Sequence, residues 1–271
     1  MIKLTEARAS IQPIKSKLKI SVLDDDEIKG INQTARDILA DVGIHIPSEK
    51  ALGILADAGA SVDLHKKIVK FPAQLVADAL ETAPRRYTLC GRRPELDADI
   101  GGNDGTYFYC SGEAPKIVDL ETGERRFSVK SDVENMAKIA DYLSLVSLIW
   151  PTVSARDKGT TAPLHGVDAC FNNTEKHVQT ESVMDEISAQ YAIEMASVVA
   201  GGREELKKRP IHSLLLCAIQ PLSQDRGGIE SAITYAEAGL PVGIMSMPTL
   251  GMTGPPYSAG SLAMALAEVL S

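Results

Sequence analysis

Up to residue 84 the apolar positions recur with helical spacing. Ile28, Ile31, Ala35, Ile38, Leu39 and Val42 follow Asp24, which forms a capping-box pattern with Glu27, and Gly43 stops the run. Ser48 opens a second helix with Leu52, Leu55 and Ala56 inward and Gly59 as its stop. Pro72 suits the first turn of a third, which carries Leu75, Val76, Ala79 and Leu80 and ends before Pro84. From residue 86 to 129 the pattern shortens. Strand candidates at 87–90, 106–109, 116–119 and 125–128 are parted by Gly and Pro, and Glu121-Thr122-Gly123-Glu124 reads as a hairpin turn.

Beyond residue 140 the pattern repeats. Apolar strand candidates at 143–150, 177–180, 211–219 and 241–246 are each followed by a helical stretch, at 162–173, 184–199, 228–238 and 259–270. Strands alternating with helices in this way predict parallel βα units with right-handed crossovers. The expected fold class is therefore α/β. A helical-plus-β module over 1–140 precedes the first four βα units of a TIM-type barrel over 141–271, about half of one.

Charge supports that division. Residues 1–140 carry 20 basic and 22 acidic side chains, whereas residues 141–271 carry 8 and 14, as expected for segments covered on both faces. The chain as a whole has a net charge of −8 and 4% aromatics, which argues against a nucleic-acid partner. The uncharged run 238–267 is too densely punctuated by Gly and Pro for a membrane span, and the N-terminus lacks the apolar region of a signal peptide. Cys90, Cys110, Cys170 and Cys217 are widely spaced, so neither a disulfide framework nor a structural zinc site is expected. A reduced, soluble, cytoplasmic protein with no membrane contact is the expectation. The 271 residues would suit one complete barrel, but the module takes about half of them.

In such a barrel the chemistry lies at the carboxyl ends of the strands. Trp150, the one tryptophan, ends the first strand; it either walls a pocket for a quaternary ammonium or plugs the barrel end. Glu181 ends the second, as a counter-ion for a cationic substrate or as an N-cap or first-turn charge of the next helix. Gln220, ahead of Pro221, either orients a ligand or satisfies its own turn. Met247 follows the fourth strand, and Thr253 lies in the loop Gly251-Met252-Thr253-Gly254, whose amides either meet an anion or only connect. The histidines do not cluster, so no metal site is expected.

Leu23 to Ile28, Ile38 to Ile44, Ala58 to Asp63, Ile68 to Pro72, Ala79 to Pro84, Gly91-Arg92, Asp119 with Thr122-Gly123 and Arg125-Arg126, and Pro248 with Gly251, Thr253 and Gly254 follow one another in the order and spacing of a known family. On them the chain resembles the trimethylamine methyltransferase family of corrinoid-dependent enzymes. The resemblance implies a TIM barrel that moves a methyl group from trimethylamine or a quaternary amine such as glycine betaine to a Co(I) corrinoid. It implies that the corrinoid (cobalamin) rides on a separate corrinoid protein, that no cofactor binds this chain directly, and that the protein is a homo-oligomer. Members of the family are longer, so the chain reads as an N-terminal portion. No catalytic motif of the family falls in these residues, and no catalytic residue is carried over. Two readings of another class stand beside it. One is an inactive fragment or half-barrel that pairs with a partner half; the other is a module that binds methylated amines without transfer.

Overall fold

Five short strands, ordered as they occur in the chain, form the central sheet. The computed structural model describes residues 8–18, 20–102 and 105–271. Helix α1 (Asp25–Asp37) starts where the Asp24 carboxylate accepts the amides of Asp26 and Glu27 while Glu27 accepts the Asp24 amide at 2.9 Å, the predicted capping box. It runs into a π-helical turn, Ile38–Val42, and ends at Gly43, whose φ of 86° favours glycine and whose missing side chain lets the Val69 carbonyl approach. Then come β1 (Ile44–His45), α2 (Glu49–Asp57) capped by Ser48, β2 (Ser61–Asp63), β3 (Ile68–Lys70) and α3 (Ala73–Thr82). Strands β1, β3 and β2 make a small antiparallel sheet. Strands β4 (Tyr87–Leu89) and β5 (Ala98–Ile100) pair antiparallel.

The main sheet opens with β6 (Phe108–Tyr109). The hairpin β7 (Lys116–Val118) and β8 (Arg125–Phe127) and helix α4 (Lys130–Tyr142) lead to β9 (Val146–Ile149). Helix α5 (Ala162–Asn173), β10 (His177–Thr180), α6 (Glu186–Ala200), the short α7 (Arg203–Lys208), β11 (His212–Cys217), α8 (Arg226–Glu237), β12 (Val242–Met245) and α9 (Ser258–Leu270) follow. All neighbours in the order β6-β9-β10-β11-β12 are parallel. The order never reverses, which separates this barrel-type progression from doubly wound sheets.

Here the structure adds to the sequence reading. The sheet has five strands where four were expected, because β6 comes from the residues assigned to the N-terminal module. The strand falls inside the candidate at 106–109, but Phe108 and Tyr109 are both exposed, so no buried apolar run assigns it to the parallel sheet. Helix α4 was also unforeseen. Its buried Val133, Ala137 and Ala140 do keep helical spacing, but between charged neighbours.

Alternation divides the sheet. Ile149, Val178 and Leu214 face the helices and pack in the main core with Val133, Val167, Ala192, Ile193 and Tyr235. The alternate residues His177, Gln179, Ser213 and Cys217 line the opposite, inner face. The N-terminal module closes over the far end. Ala35, Leu39, Ile44, Leu52 and Val69 share one core with Ala267 of α9, against which Ile229 and Ile233 of α8 pack. The His45 amide donates to Leu222 and its carbonyl accepts from the Gln224 amide, each at 2.9 Å, so β1 grips the segment after β11.

One buried cation locks the β9 side. The Lys176 ammonium is 1% exposed and donates to the carbonyls of Ala140, Leu143 and Val146 at 2.8, 2.9 and 2.6 Å, tying the end of α4 to β9. Its donors match these acceptors one for one. Lys176→Met is expected to leave these carbonyls without partners and to lower unfolding stability by about 2–4 kcal/mol. Urea denaturation checks this; a midpoint unchanged from wild type would contradict it.

Candidate functional site

The inner face is polar because of one continuous chain of hydrogen bonds. The Trp150 indole N–H donates to Gln179 Oε1 at 2.6 Å. Gln179 Nε2 donates to Ser213 Oγ at 3.0 Å, Ser213 Oγ lies 2.8 Å from His177 Nε2, and His177 Nδ1 lies 3.1 Å from the Cys90 carbonyl. An indole N–H only donates and a carbonyl only accepts, so both ends fix the direction. Nδ1 carries the imidazole proton, Nε2 accepts from the Ser213 hydroxyl, and the Gln179 amide can point only one way. Burial, reinforced by His212, pushes His177 down to about 3, so the ring is neutral at physiological pH, as this direction requires. His212 works on the other side of the sheet, between the Val178 carbonyl and the Tyr235 hydroxyl.

At the carboxyl ends of β6, β9 and β10 this chain delivers Trp150 to a small cluster. Its ring centroid lies 5.2 Å from that of Tyr109, the planes tilted by 54°. The segment after β6 runs beside the segment after β9, the Ala114 amide donating to the Thr152 carbonyl at 3.0 Å. This brings Gly112 against both Trp150 and Glu181. A Cβ there would lie 2.8 Å from Trp150 Cε3 and 3.0 Å from Glu181 Oε1. Glu113, next in the chain, accepts from Ser182 Oγ at 2.5 Å. Burial, together with Glu181 and against the Ser182 hydrogen bond, pushes its carboxyl up to about 7. Neither glutamate has an ion-pair partner among the described residues. Cys217 at the end of β11 is also pushed up, by burial and then by Glu181.

The sequence candidates fall into three places. Trp150 and Glu181 meet at Gly112. Trp150 is 6% exposed, so most of its surface is packed. Glu181 is not the cap of α6, because Asp185 accepts the Ser188 amide in that role. Gln220 lies in a neighbouring cluster. Its amide nitrogen donates to the Ala218 carbonyl at 2.9 Å and reaches Ser246 Oγ at 3.4 Å, and Ser246 in turn bonds the buried Glu268. That is the turn-satisfying role for its NH2. Met247 is exposed, and Thr253 Oγ1 accepts the Thr249 amide within its own loop. The amides of Gly251, Met252, Thr253 and Gly254 donate to carbonyls of the same loop, so they form no anion cradle. Among the described residues no group of His, Cys, Asp and Glu is arranged to hold a metal.

Tyr109, Gly112, Glu113 and Gln179 were not singled out from the sequence, whereas Ser182 was noted beside Glu181 at the strand end. Glu113 lies four residues past the end of β6, and placing the strand candidate 106–109 in the parallel sheet would have drawn attention to that segment. The apolar cavity of about 270 Å³ between α2 and α8 is lined by Ile46, Ile54, Leu55, Ile229 and Ile233 and contributes no charged group to this site.

The sequence profile of the trimethylamine methyltransferase family (MTTB) matches residues 3–271. Trimethylamine methyltransferase MttB of Desulfitobacterium hafniense is 34% identical over 247 residues, 91% of this chain and 49% of that one. MttB of Methanosarcina barkeri is 32% identical over 260 residues, 94% of this chain and 52% of that one. A glycine betaine methyltransferase of Desulfitobacterium hafniense is 31% identical over 255 residues, 93% of this chain and 52% of that one. The chain thus spans about half the length of the curated relatives it matches.

The geometry makes two changes measurable. Gly112→Ala is expected to push Trp150 or Glu181 aside, cost about 1–3 kcal/mol, and shift the emission of the single tryptophan; unchanged emission and stability would contradict the close approach. Glu113 holds its proton to about pH 7 when folded, whereas an unfolded glutamate, with its ordinary value of 4.5, has already lost it. The folded state therefore binds more protons in that window, and stability falls as pH rises from about 4.5 to 7. The loss from this group is about 3 kcal/mol. Glu113→Gln is expected to flatten that part of the stability–pH curve, read by denaturation at pH 5 and pH 8; an identical slope in the variant would contradict it.

Proposed function

Since the chain belongs to the trimethylamine methyltransferase family, we propose that it acts in moving a methyl group from a methylated amine, trimethylamine or a quaternary amine such as glycine betaine, to the Co(I) of a corrinoid carried by a separate partner protein. The observation that carries the reading is the convergence of Trp150 and Glu181 on Gly112, with Tyr109 and Glu113 beside them. A nitrogen covered by methyl groups offers little or nothing to donate in a hydrogen bond. What remains to recognise is its positive charge and its methyl surface, which an aromatic ring and a carboxylate match.

The Co(I) corrinoid supplies a strong nucleophile, and the amine leaves neutral, so the reaction needs positioning and charge more than proton transfer. Trp150 offers the ring surface and is held in one orientation by Gln179. Glu181 holds the positive charge of the bound amine. Burial pushes the Cys110 and Cys217 thiols up, so they stay protonated and do not compete as nucleophiles.

A second reading follows from the sheet edge. Among the described strands β12 pairs only with β11, leaving one side open. A half-barrel of this kind could bind methylated amines, or pair with a partner half, without transferring a methyl group. Calorimetry with trimethylamine and glycine betaine, followed by an assay of methyl transfer to free Co(I) cobalamin, separates the two. Binding with transfer supports the first reading, and binding alone supports the second.

Trp150→Leu is expected to weaken binding of tetramethylammonium by roughly 2- to 30-fold, and Trp150→Phe, which keeps a ring, by less. Thermal melts identify any variant that fails to fold. Unchanged affinity in a folded Trp150→Leu variant would remove Trp150 from the site.

A further inference from the structure

Two carboxylates share the cluster, and they are not equivalent. Glu181 lies against Gly112 and Trp150. Glu113, like Glu181, is partly buried, and takes a hydrogen bond from Ser182 on one oxygen. Two negative charges in one partly desolvated place, with no cationic partner among the described residues, favour a proton on one of them, and burial with the neighbouring Glu181 raises Glu113. A permanent cation entering against Trp150 supplies the missing positive charge and lets that proton go to solvent.

From this arrangement we infer that Glu113 is a specificity-determining residue that selects a methylated ammonium ion without a carboxylate arm over a zwitterion such as a betaine. The inference rests on the methylated-amine reading of the site. With both glutamates ionised, a simple cation meets two counter-charges. A betaine brings its own carboxylate to within a few bonds of its nitrogen and meets the same two charges as repulsion. With Glu113 protonated the second counter-charge is gone, and its O–H can donate to a carboxylate instead.

The groups around Glu113 leave it as the one that titrates near neutrality here. Glu181 faces it from the turn after β10, alongside the uncharged Ser182. Cys170 on α5 and Cys110 on its own segment are thiols pushed up by burial, as is Cys217 on β11, which faces Glu181. Buried His177 and His212 within the sheet are pushed down to about 3 and 4.

The test is calorimetric titration of this chain with tetramethylammonium and with glycine betaine from pH 5 to pH 8. Affinity for tetramethylammonium should rise with pH, approaching tenfold per unit while Glu113 is still protonated and levelling once it has ionised, with one proton released to buffer. Betaine affinity should stay flat or fall, so the preference for tetramethylammonium reaches about tenfold or more at pH 8. Glu113→Gln should remove the pH dependence and narrow the preference. Ser182→Ala, which removes a hydrogen bond favouring the ionised carboxylate, should move the rise to higher pH, a shift that a loss of folding would not produce. Betaine binding as tightly as tetramethylammonium at pH 8, or a preference unchanged in Glu113→Gln, overturns the inference and leaves the methylated-amine reading standing. If neither compound binds at any pH, that reading falls and the inference falls with it.

Discussion

The inner face of this sheet depends on a hydrogen-bond chain that can run in only one direction. It begins at an indole that can only donate and ends at a carbonyl that can only accept, and Gln179, Ser213 and His177 are forced into line between them. The chain crosses β10 and β11, takes in the residue after β9, and ends at Cys90, just after β4. Cutting it leaves at least one buried polar group without a partner, at about 1–3 kcal/mol. That penalty keeps Trp150 in a single orientation where an isolated ring at a strand end would have several.

The remaining packing serves the same arrangement from outside. Helices α4, α5, α6 and α8 take the apolar side of the sheet, so the polar residues can collect on the other. The N-terminal module braces the far end through α9 and through the hydrogen bonds of His45 to the segment after β11. That segment is also held by Glu268, which accepts the Leu222 amide and bonds Ser246 beside Gln220. The glutamates at Gly112 are treated differently. Glu268 is buried with its donors in place, whereas Glu113 and Glu181 sit together without a cation. Uncompensated charge of this kind is costly to stability and useful for binding a cation.

Much of the fold could be read from local chemistry. The Asp24 and Ser48 caps, the Gly43 stop, the strand at 177–180 and the helix at 162–173 occur where spacing and capping placed them. What was hidden was hidden for physical reasons. Strand β6 falls inside the candidate at 106–109, but its two residues are exposed and carry no buried apolar run, so only pairing with β9 places it in the parallel sheet. With 106–109 assigned to the N-terminal module rather than to the parallel sheet, nothing marked the segment after it, which carries Glu113, as a place for chemistry. Gln179 sits in an apolar strand with no local mark of its role, because its partners come from the strands on either side. Glu181 had two readings in the sequence, and the cap reading ends when Asp185 takes that place, four residues later. Trp150 and Glu181 were legible as candidates because position at a strand end is a local property. Their meeting at Gly112 was not, since it depends on a segment nearly forty residues before Trp150.

We propose above all that Trp150 and Glu181 together receive a methylated ammonium ion. The chain has one tryptophan, so its indole N–H gives one side-chain signal in a ¹⁵N-correlated NMR spectrum. Adding tetramethylammonium is predicted to move that signal saturably in the wild-type chain and to leave it in place in a folded Glu181→Gln variant. A signal that never moves, or that moves identically in both proteins, would contradict the claim.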